Sequence, residues 1–159
     1  MTWVPRPVAL VLALVACGVA ACVSKPPPPP PKPTIVRATI DARPNVNPDA
    51  RGRPSPVVVR LYELKSIAVF DSADFFSLYE RDKDTLGAEL VARDEFALSP
   101  GEHRVIERQA HADSRHVAVL AAFRDLERSK WRATAPVVPN ETTSLVIELD
   151  GNDLRIRAP

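Results

Sequence analysis

The sequence contains little of what most catalytic and metal sites require. Its two cysteines, Cys17 and Cys22, both lie near the N-terminus, so the rest of the chain has no thiol for a disulfide, a zinc site or a nucleophile. It has five glycines and no glycine-rich phosphate loop. The nucleophile motifs GxSxG and SxxK are also missing. These absences predict a protein that is not an enzyme and that has no catalytic residues.

Surplus charge and metal-ligand patterns are missing as well. The formal net charge is +1, which gives no overall attraction for nucleic acid. The three histidines, His103, His111 and His116, have neither HxxxH spacing nor a neighbouring cysteine. We therefore expect no metal site, no nucleic-acid partner and no small-molecule substrate.

The N-terminal residues have the parts of a lipoprotein signal peptide, which we place at residues 1–21. Arg6 supplies positive charge, residues 8–15 are apolar, and small residues follow. The apolar run is short for a membrane-spanning helix, which needs about 20 residues, although residues 8–23 could form a marginal one. Secretion is therefore the favoured interpretation.

Each cysteine ends a run that resembles a lipobox, in which small residues precede the lipidated cysteine. Cys17 follows Leu-Val-Ala, with the favoured leucine, whereas Cys22 follows Val-Ala-Ala, with the better small pair and a longer signal. We predict that Cys22 carries the lipid, with Cys17 as the alternative. Several acyl chains on one cysteine anchor a protein stably. Val23 rather than aspartate follows Cys22, so we expect the outer membrane, with the domain on its periplasmic face.

Residues 22–33 are interpreted as the lipidated cysteine and a stiff linker. Prolines fill positions 26–31 without a break, and proline favours the extended polyproline II conformation. At ~3.1 Å per residue, this segment would hold the domain about 35 Å from the lipid. The proline run therefore predicts a spacer.

Residues 34–159 show mainly β patterns, which predict an antiparallel two-sheet β-sandwich with a short helical insertion at about 71–90. Two hairpins are expected, one joining residues 89–98 to 102–110 and the other joining 144–150 to 153–157. Residues 116–123 are apolar on both faces, as in a central strand. Asp71 or Ser72 is the expected N-cap of the insertion.

The loop between the first two predicted strands, residues 43–55, is the most distinctive segment. It reads RPNVNPDARGRPS and is long for a connection without regular structure. Three prolines and its Asn and Asp residues indicate a shaped loop rather than a slack one. A shaped loop without catalytic groups points to a protein-binding role.

Several runs along the chain resemble the TssJ lipoproteins of type VI secretion systems. They include NPDARGRPSPVVVRLYELKS at 47–66, ADFF at 73–76, DEF at 94–96 and AAFRDL at 121–126. The resemblance extends in order over nearly all of residues 34–149.

The resemblance implies a transthyretin-like sandwich, anchored in the outer membrane, that binds the periplasmic part of the inner-membrane subunit TssM within a complex with TssL. In that family the contact is made by the loop equivalent to residues 43–55. It also implies no cofactor other than the covalent lipid. The residues expected to contact TssM are Asn45, Val46, Asn47, Pro48, Asp49 and Arg51.

Two other functions are weighed against this one. A periplasmic lipoprotein that carries a small ligand would need a hollow sandwich, whereas the pattern of large apolar residues here predicts a filled core. An envelope enzyme would need a nucleophile that the sequence does not offer.

Overall fold

The computed structural model describes residues 29–159, which form two four-stranded β-sheets and a helical segment. The strands within this range, numbered in chain order, are β1 Ile35–Ala42, β2 Val57–Leu64, β3 Leu90–Leu98, β4 His103–Gln109, β5 His116–Ala122, β6 Arg132–Pro136, β7 Thr142–Asp150 and β8 Asp153–Arg157. The helices are α1 Ala68–Ser72 and α2 Phe75–Leu86, with short 3₁₀ turns at Gly87–Glu89 and Leu126–Arg128. The predicted mainly-β sandwich with a helical insertion is confirmed.

One sheet, here the β1 sheet, has the strand order β4-β1-β7-β8, and the other, the β2 sheet, has the order β3-β2-β5-β6. Neighbouring strands are antiparallel except β1 and β7, which run parallel with Ala38 opposite Leu145. The β1 sheet is therefore mixed rather than purely antiparallel as predicted. In this register both strands direct their apolar residues to the same face of the sheet. The alternation of apolar residues alone does not reveal that the two strands run parallel.

The predicted hairpin between residues 89–98 and 102–110 is wrong. β3 pairs with β2 and β4 pairs with β1, so the turn between them crosses from one sheet to the other. A Ser-Pro-Gly turn signal fixes the reversal of the chain, but it does not say which strand the next segment will join. The second predicted hairpin is confirmed, with Leu149 opposite Leu154 and a turn in which Gly151 has φ 57°.

The main core lies between the two sheets. Alternate residues of β1, including Val36 and Ile40, face Val59 and Leu61 of β2 and are at most 1% exposed. The members of this core and of the one described next lie between Val36 and Leu154. The domain of residues 34–159 therefore has a complete core of its own.

A second core forms where α1 and α2 cover the outer face of the β2 sheet. Phe70 and Leu78 from the helices pack with Tyr62 and Leu120 from the strands, and all four are fully buried. β5 is consequently buried on both faces, as its apolar sequence predicted. Arg60 and Tyr62 point away from the main core, and the helices cover them.

The helical segment begins earlier and is capped differently than expected. α1 starts at Ala68, the chain is extended at Ala73 and Asp74, and α2 follows. Asp74, rather than Asp71 or Ser72, is the N-cap of α2, because its carboxylate accepts a hydrogen bond from the backbone N–H of Ser77 at 3.0 Å. The hydrogen bond from the Ser77 hydroxyl lowers the pKa of Asp74 most, and the bond from this N–H lowers it further.

A buried carboxylate links α2 to the β2 sheet. Asp82 is 5% exposed, and its Oδ2 accepts hydrogen bonds from Arg93 at 2.6 Å, from the Tyr62 hydroxyl at 3.3 Å and from Arg60 at 3.5 Å. Burial raises the pKa of Tyr62 to about 12, so its phenol keeps the proton that it donates. Asp82 is therefore the ion-pair partner of Arg93 among the described residues, whereas Arg60 also pairs with Glu95.

We expect Asp82→Ala to lower the free energy of unfolding by about 2–3 kcal/mol, because it leaves buried donors without an acceptor. Asp84→Ala is the matched control, since Asp84 is an exposed aspartate on the same helix. Urea denaturation of the 34–159 domain measures both. Equal stabilities for the two variants would contradict the assigned role of Asp82.

The predicted signal peptide, Cys17, Cys22 and the first part of the proline run lie outside the described residues. Residues 29–34 contain neither helix nor strand. Within residues 29–159, no helix is long and apolar enough to cross a membrane.

Candidate partner-binding site

The β1–β2 loop, residues 43–56, lies at the opposite end of β1 from the point where the chain enters the domain. The chain enters at Thr34, immediately before β1, and leaves β1 at Ala42 directly into the loop. Eight residues of strand separate these points, which corresponds to about 26 Å. The loop and the chain entry therefore occupy opposite ends of the sandwich.

Two of the six predicted contact residues point into the domain. Val46 is 0% exposed and belongs to the main core, and Asn47 is 2% exposed. Asn47 has φ 49°, a left-handed conformation that asparagine tolerates better than most residues. These side chains are out of reach of a partner in this conformation, so their role is to shape the loop.

Asn47 joins three loops at this end of the sandwich. Its Nδ2 donates to the carbonyl of Pro56 at 2.7 Å, its backbone N–H donates to the carbonyl of Gly151 at 2.8 Å, and its Oδ1 accepts from the N–H of Arg124 at 2.8 Å. The β1–β2 loop is thereby fixed to the β7–β8 turn and to the β5–β6 connection.

The tip of the loop is organised around Asp49. Its carboxylate accepts hydrogen bonds from the N–H of Arg51 at 2.8 Å, the N–H of Arg53 at 3.0 Å and the Arg53 Nε at 2.8 Å. These hydrogen bonds lower the pKa of Asp49. The backbone bond from Arg53 has the largest effect, followed by its side-chain bond and then by the bond from Arg51. Gly52 completes the turn with φ 76°. The tip is therefore shaped by local hydrogen bonds.

The other four predicted contact residues reach the surface. Asn45 and Arg51 are exposed, and Pro48 and Asp49 are half-buried. Asn45 also donates to Asp150 at 2.7 Å, which ties the base of the loop to the end of β7. The structure thus separates residues that form the surface of the loop from residues that hold it in place.

A shallow groove beside the loop tip includes residues to which the sequence assigned no binding role. Its volume is about 560 Å³. Its walls come from the loop, the β5–β6 connection and the β7–β8 turn, and are formed by Pro48, Asp49, Ala50, Arg124, Asp125, Arg128 and Asn152. These segments are far apart in sequence, so only the β topology shows that they share one surface. In the sequence, the resemblance of residues 121–126 to the TssJ family was the signal that could have drawn attention to the β5–β6 connection.

The histidines and carboxylates of the described residues do not converge on a metal site. Within residues 29–159, no group of three or more His, Cys, Asp or Glu side chains is placed to hold a metal ion. His103 and His111 are exposed, at the start of β4 and in the turn after it, and His116 opens β5 in the other sheet.

The sequence of the domain matches a known protein family. Residues 34–152 match the model of a family described as "Type VI secretion lipoprotein, VasD, EvfM, TssJ". The chain belongs to this TssJ family of type VI secretion lipoproteins. No curated protein sequence matches the chain.

Solved structures agree with this assignment. The type VI secretion lipoprotein TssJ1 from Pseudomonas aeruginosa is 42% identical, with a TM-score of 0.78 over 80% of this chain and 97% of that chain. Lip from Serratia marcescens, described as a membrane bound component of the Type VI Secretion System, is 30% identical, with a TM-score of 0.72 over 80% and 98% of the two chains. A chain of a structure described as "T6SS protein TssM C-terminal domain (869-1107) from EAEC" is 28% identical, with a TM-score of 0.67 over 79% and 99%.

These matches confirm the predicted family and sandwich fold. The protein is a structural lipoprotein of a type VI secretion system, and nothing in the family indicates catalysis.

The role of Asn47 can be tested with glycine, which accepts positive φ but removes the side-chain hydrogen bonds. We expect Asn47→Gly to lower the free energy of unfolding by about 1–3 kcal/mol. Asn140→Gly is the matched control, because Asn140 also has positive φ, 62°, but is exposed. Thermal or urea unfolding of the 34–159 domain measures both. A loss of equal size at Asn140 would show that the backbone, rather than the side-chain bonds, accounts for the effect.

Proposed function

We propose that this lipoprotein is anchored in the outer membrane through Cys22 and tethers the periplasmic part of TssM through the β1–β2 loop, within the complex that TssM forms with TssL. The observation that carries the proposal is the position of the loop. A rigid, partly exposed loop stands at the end of the domain opposite the chain entry at Thr34. A tether needs its membrane anchor and its partner-binding surface to be separated in this way.

The stiffness of the loop supports a binding role. Ordering a flexible loop on binding costs free energy, and a loop that is ordered beforehand avoids much of that cost. Asn47 and Asp49 together fix the loop through six hydrogen bonds described above. TssM is favoured as the partner by the family and by the structural relative described with the TssM C-terminal domain.

The carrier hypothesis has less support. A carrier needs a hollow between its sheets, whereas here the inner faces meet in a core of buried side chains such as Ile40, Leu61, Val119 and Ile147, each 0% exposed. No observation in the described residues favours a small ligand.

A bulky uncharged substitution at the loop tip should block binding to TssM. Ala50 is exposed at the tip, so Ala50→Trp adds bulk without disturbing Val46, Asn47 or Asp49. We expect it to weaken binding of the 34–159 domain by about tenfold or more. The measurement is isothermal titration against the periplasmic C-terminal region of TssM from the same genome.

Ala112→Trp is the matched control, because Ala112 is an exposed alanine in the turn between β4 and β5, at the other end of the sandwich. It should bind as tightly as the unmodified domain. Equal binding by both variants would show that the loop is not the contact surface. Replacing all of residues 45–49 would be a poorer test, since it would also remove the buried Val46 and Asn47.

The anchor can be tested in the full chain expressed in a Gram-negative host. Cys22→Ser should move the protein from the outer-membrane fraction to the soluble periplasm and abolish palmitate labelling, because the acyl chains supply the membrane affinity. Cys17→Ser should leave both unchanged. Release by Cys17→Ser alone would assign the lipid to Cys17 instead.

A further inference from the structure

The groove beside the loop tip is lined by two exposed arginines of the β5–β6 connection, Arg124 and Arg128. We infer that the groove receives an acidic segment of TssM, held by these two arginines. This inference rests on the proposed function and extends the contact surface beyond residues 43–56. It also names the chemistry of the partner, namely carboxylate side chains on a peptide.

The two walls of the groove are fixed relative to each other. The bond from the Arg124 N–H to the Asn47 Oδ1 at 2.8 Å joins the β5–β6 connection to the loop. The β7–β8 turn is joined through the bond from the Asn47 N–H to the Gly151 carbonyl, also 2.8 Å. A partner that binds the loop tip therefore also meets the β5–β6 connection.

Positive charge at this surface has few internal partners. Within residues 29–159, the side chains of Arg51 and Arg124 form no ion pair and donate no side-chain hydrogen bond, and both are exposed. Arg128 is 85% exposed and its nearest carboxylate, that of Asp125, is 4.0 Å away. An exposed pair at that distance contributes little. Two guanidinium groups of the groove, those of Arg124 and Arg128, are thus available to a partner, and Arg51 lies outside its walls.

Two carboxylates, those of Asp49 and Asp125, also line the groove. Asp49 is already engaged by Arg53, with an Nη2–Oδ2 distance of 2.7 Å. Asp125 is the one carboxylate lining the groove that has no close partner of this kind. The planar guanidinium matches a carboxylate with two parallel hydrogen bonds, so arginines arranged in this way favour aspartate or glutamate over an apolar anchor.

Membrane phosphates are disfavoured as the ligand, because the groove lies at the end of the domain opposite Thr34, where the anchored chain enters.

The test is charge reversal outside the β1–β2 loop. Arg124→Glu combined with Arg128→Glu should weaken binding of the 34–159 domain to the periplasmic C-terminal region of TssM by about tenfold or more at about 50 mM NaCl. Raising the salt to about 300 mM should weaken binding by the unmodified domain markedly, and binding by the variant much less, because attraction between charges is screened.

The matched control reverses two charges elsewhere. Arg81 and Lys83 lie on α2, are exposed, and form no ion pair within residues 29–159, so Arg81→Glu with Lys83→Glu gives the same change in net charge. This variant should bind within about twofold of the unmodified domain. Circular dichroism of each variant establishes that it is folded.

The outcomes separate this inference from the proposed function. If Ala50→Trp abolishes binding but the Arg124 and Arg128 reversal binds as tightly and with the same salt dependence as the unmodified domain, the loop function stands and the acidic-segment inference is overturned. Equal losses in the reversed variant and the α2 control would overturn it too, since net charge would then be the cause. If the unmodified domain does not bind TssM, both fall.

Discussion

The β2 sheet must be covered on both faces, and the rest of the domain follows from that constraint. β2 and β5 carry apolar side chains on both sides, so one face packs on the β1 sheet and the other needs the helices. The Arg60 guanidinium lies beneath α2, where it donates to the Tyr79 carbonyl at 2.6 Å and pairs with Glu95 at 2.5 Å and Asp82 at 3.5 Å. The helical insertion is therefore a structural layer of the sandwich, whatever else it contributes.

That layer leaves uncovered the end of the sandwich at which we propose that the partner binds. Arg132 of β6 donates to the carbonyls of Phe70 and Ala73, which ties the junction between α1 and α2 to the sheet. With the helices packed on the outer face, the β1–β2 loop, the β5–β6 connection and the β7–β8 turn meet without obstruction. Asn47 then joins these three segments through its buried hydrogen bonds.

Local sequence patterns predicted most of the strands and the helical insertion, but they did not predict which strands pair with each other. Alternation located most of the strands, and the apolar faces of residues 116–123 indicated a doubly buried strand, because burial leaves a direct trace in composition. The false hairpin at residues 99–102 and the parallel β1–β7 pair had no such trace, since a turn signal does not specify the partner strand. Asn47 was expected to contact TssM because it lies in the loop that makes this contact in the TssJ family, but its positive φ and buried hydrogen bonds make it a positioning residue.

The same distinction explains why the binding surface that we propose is wider than the loop. A sequence can mark a long, proline-rich segment as unusual, but Arg124, Arg128 and Asn152 become neighbours of that segment only after the strands have paired. The rigid contact through Asn47 then has a consequence for affinity. Guanidinium groups held on a preordered frame lose less freedom on binding than the same groups on a flexible loop. Exposed arginine side chains on a stiff frame would therefore suit the proposed tether, because their charge speeds the encounter with a partner and the preordered frame slows dissociation.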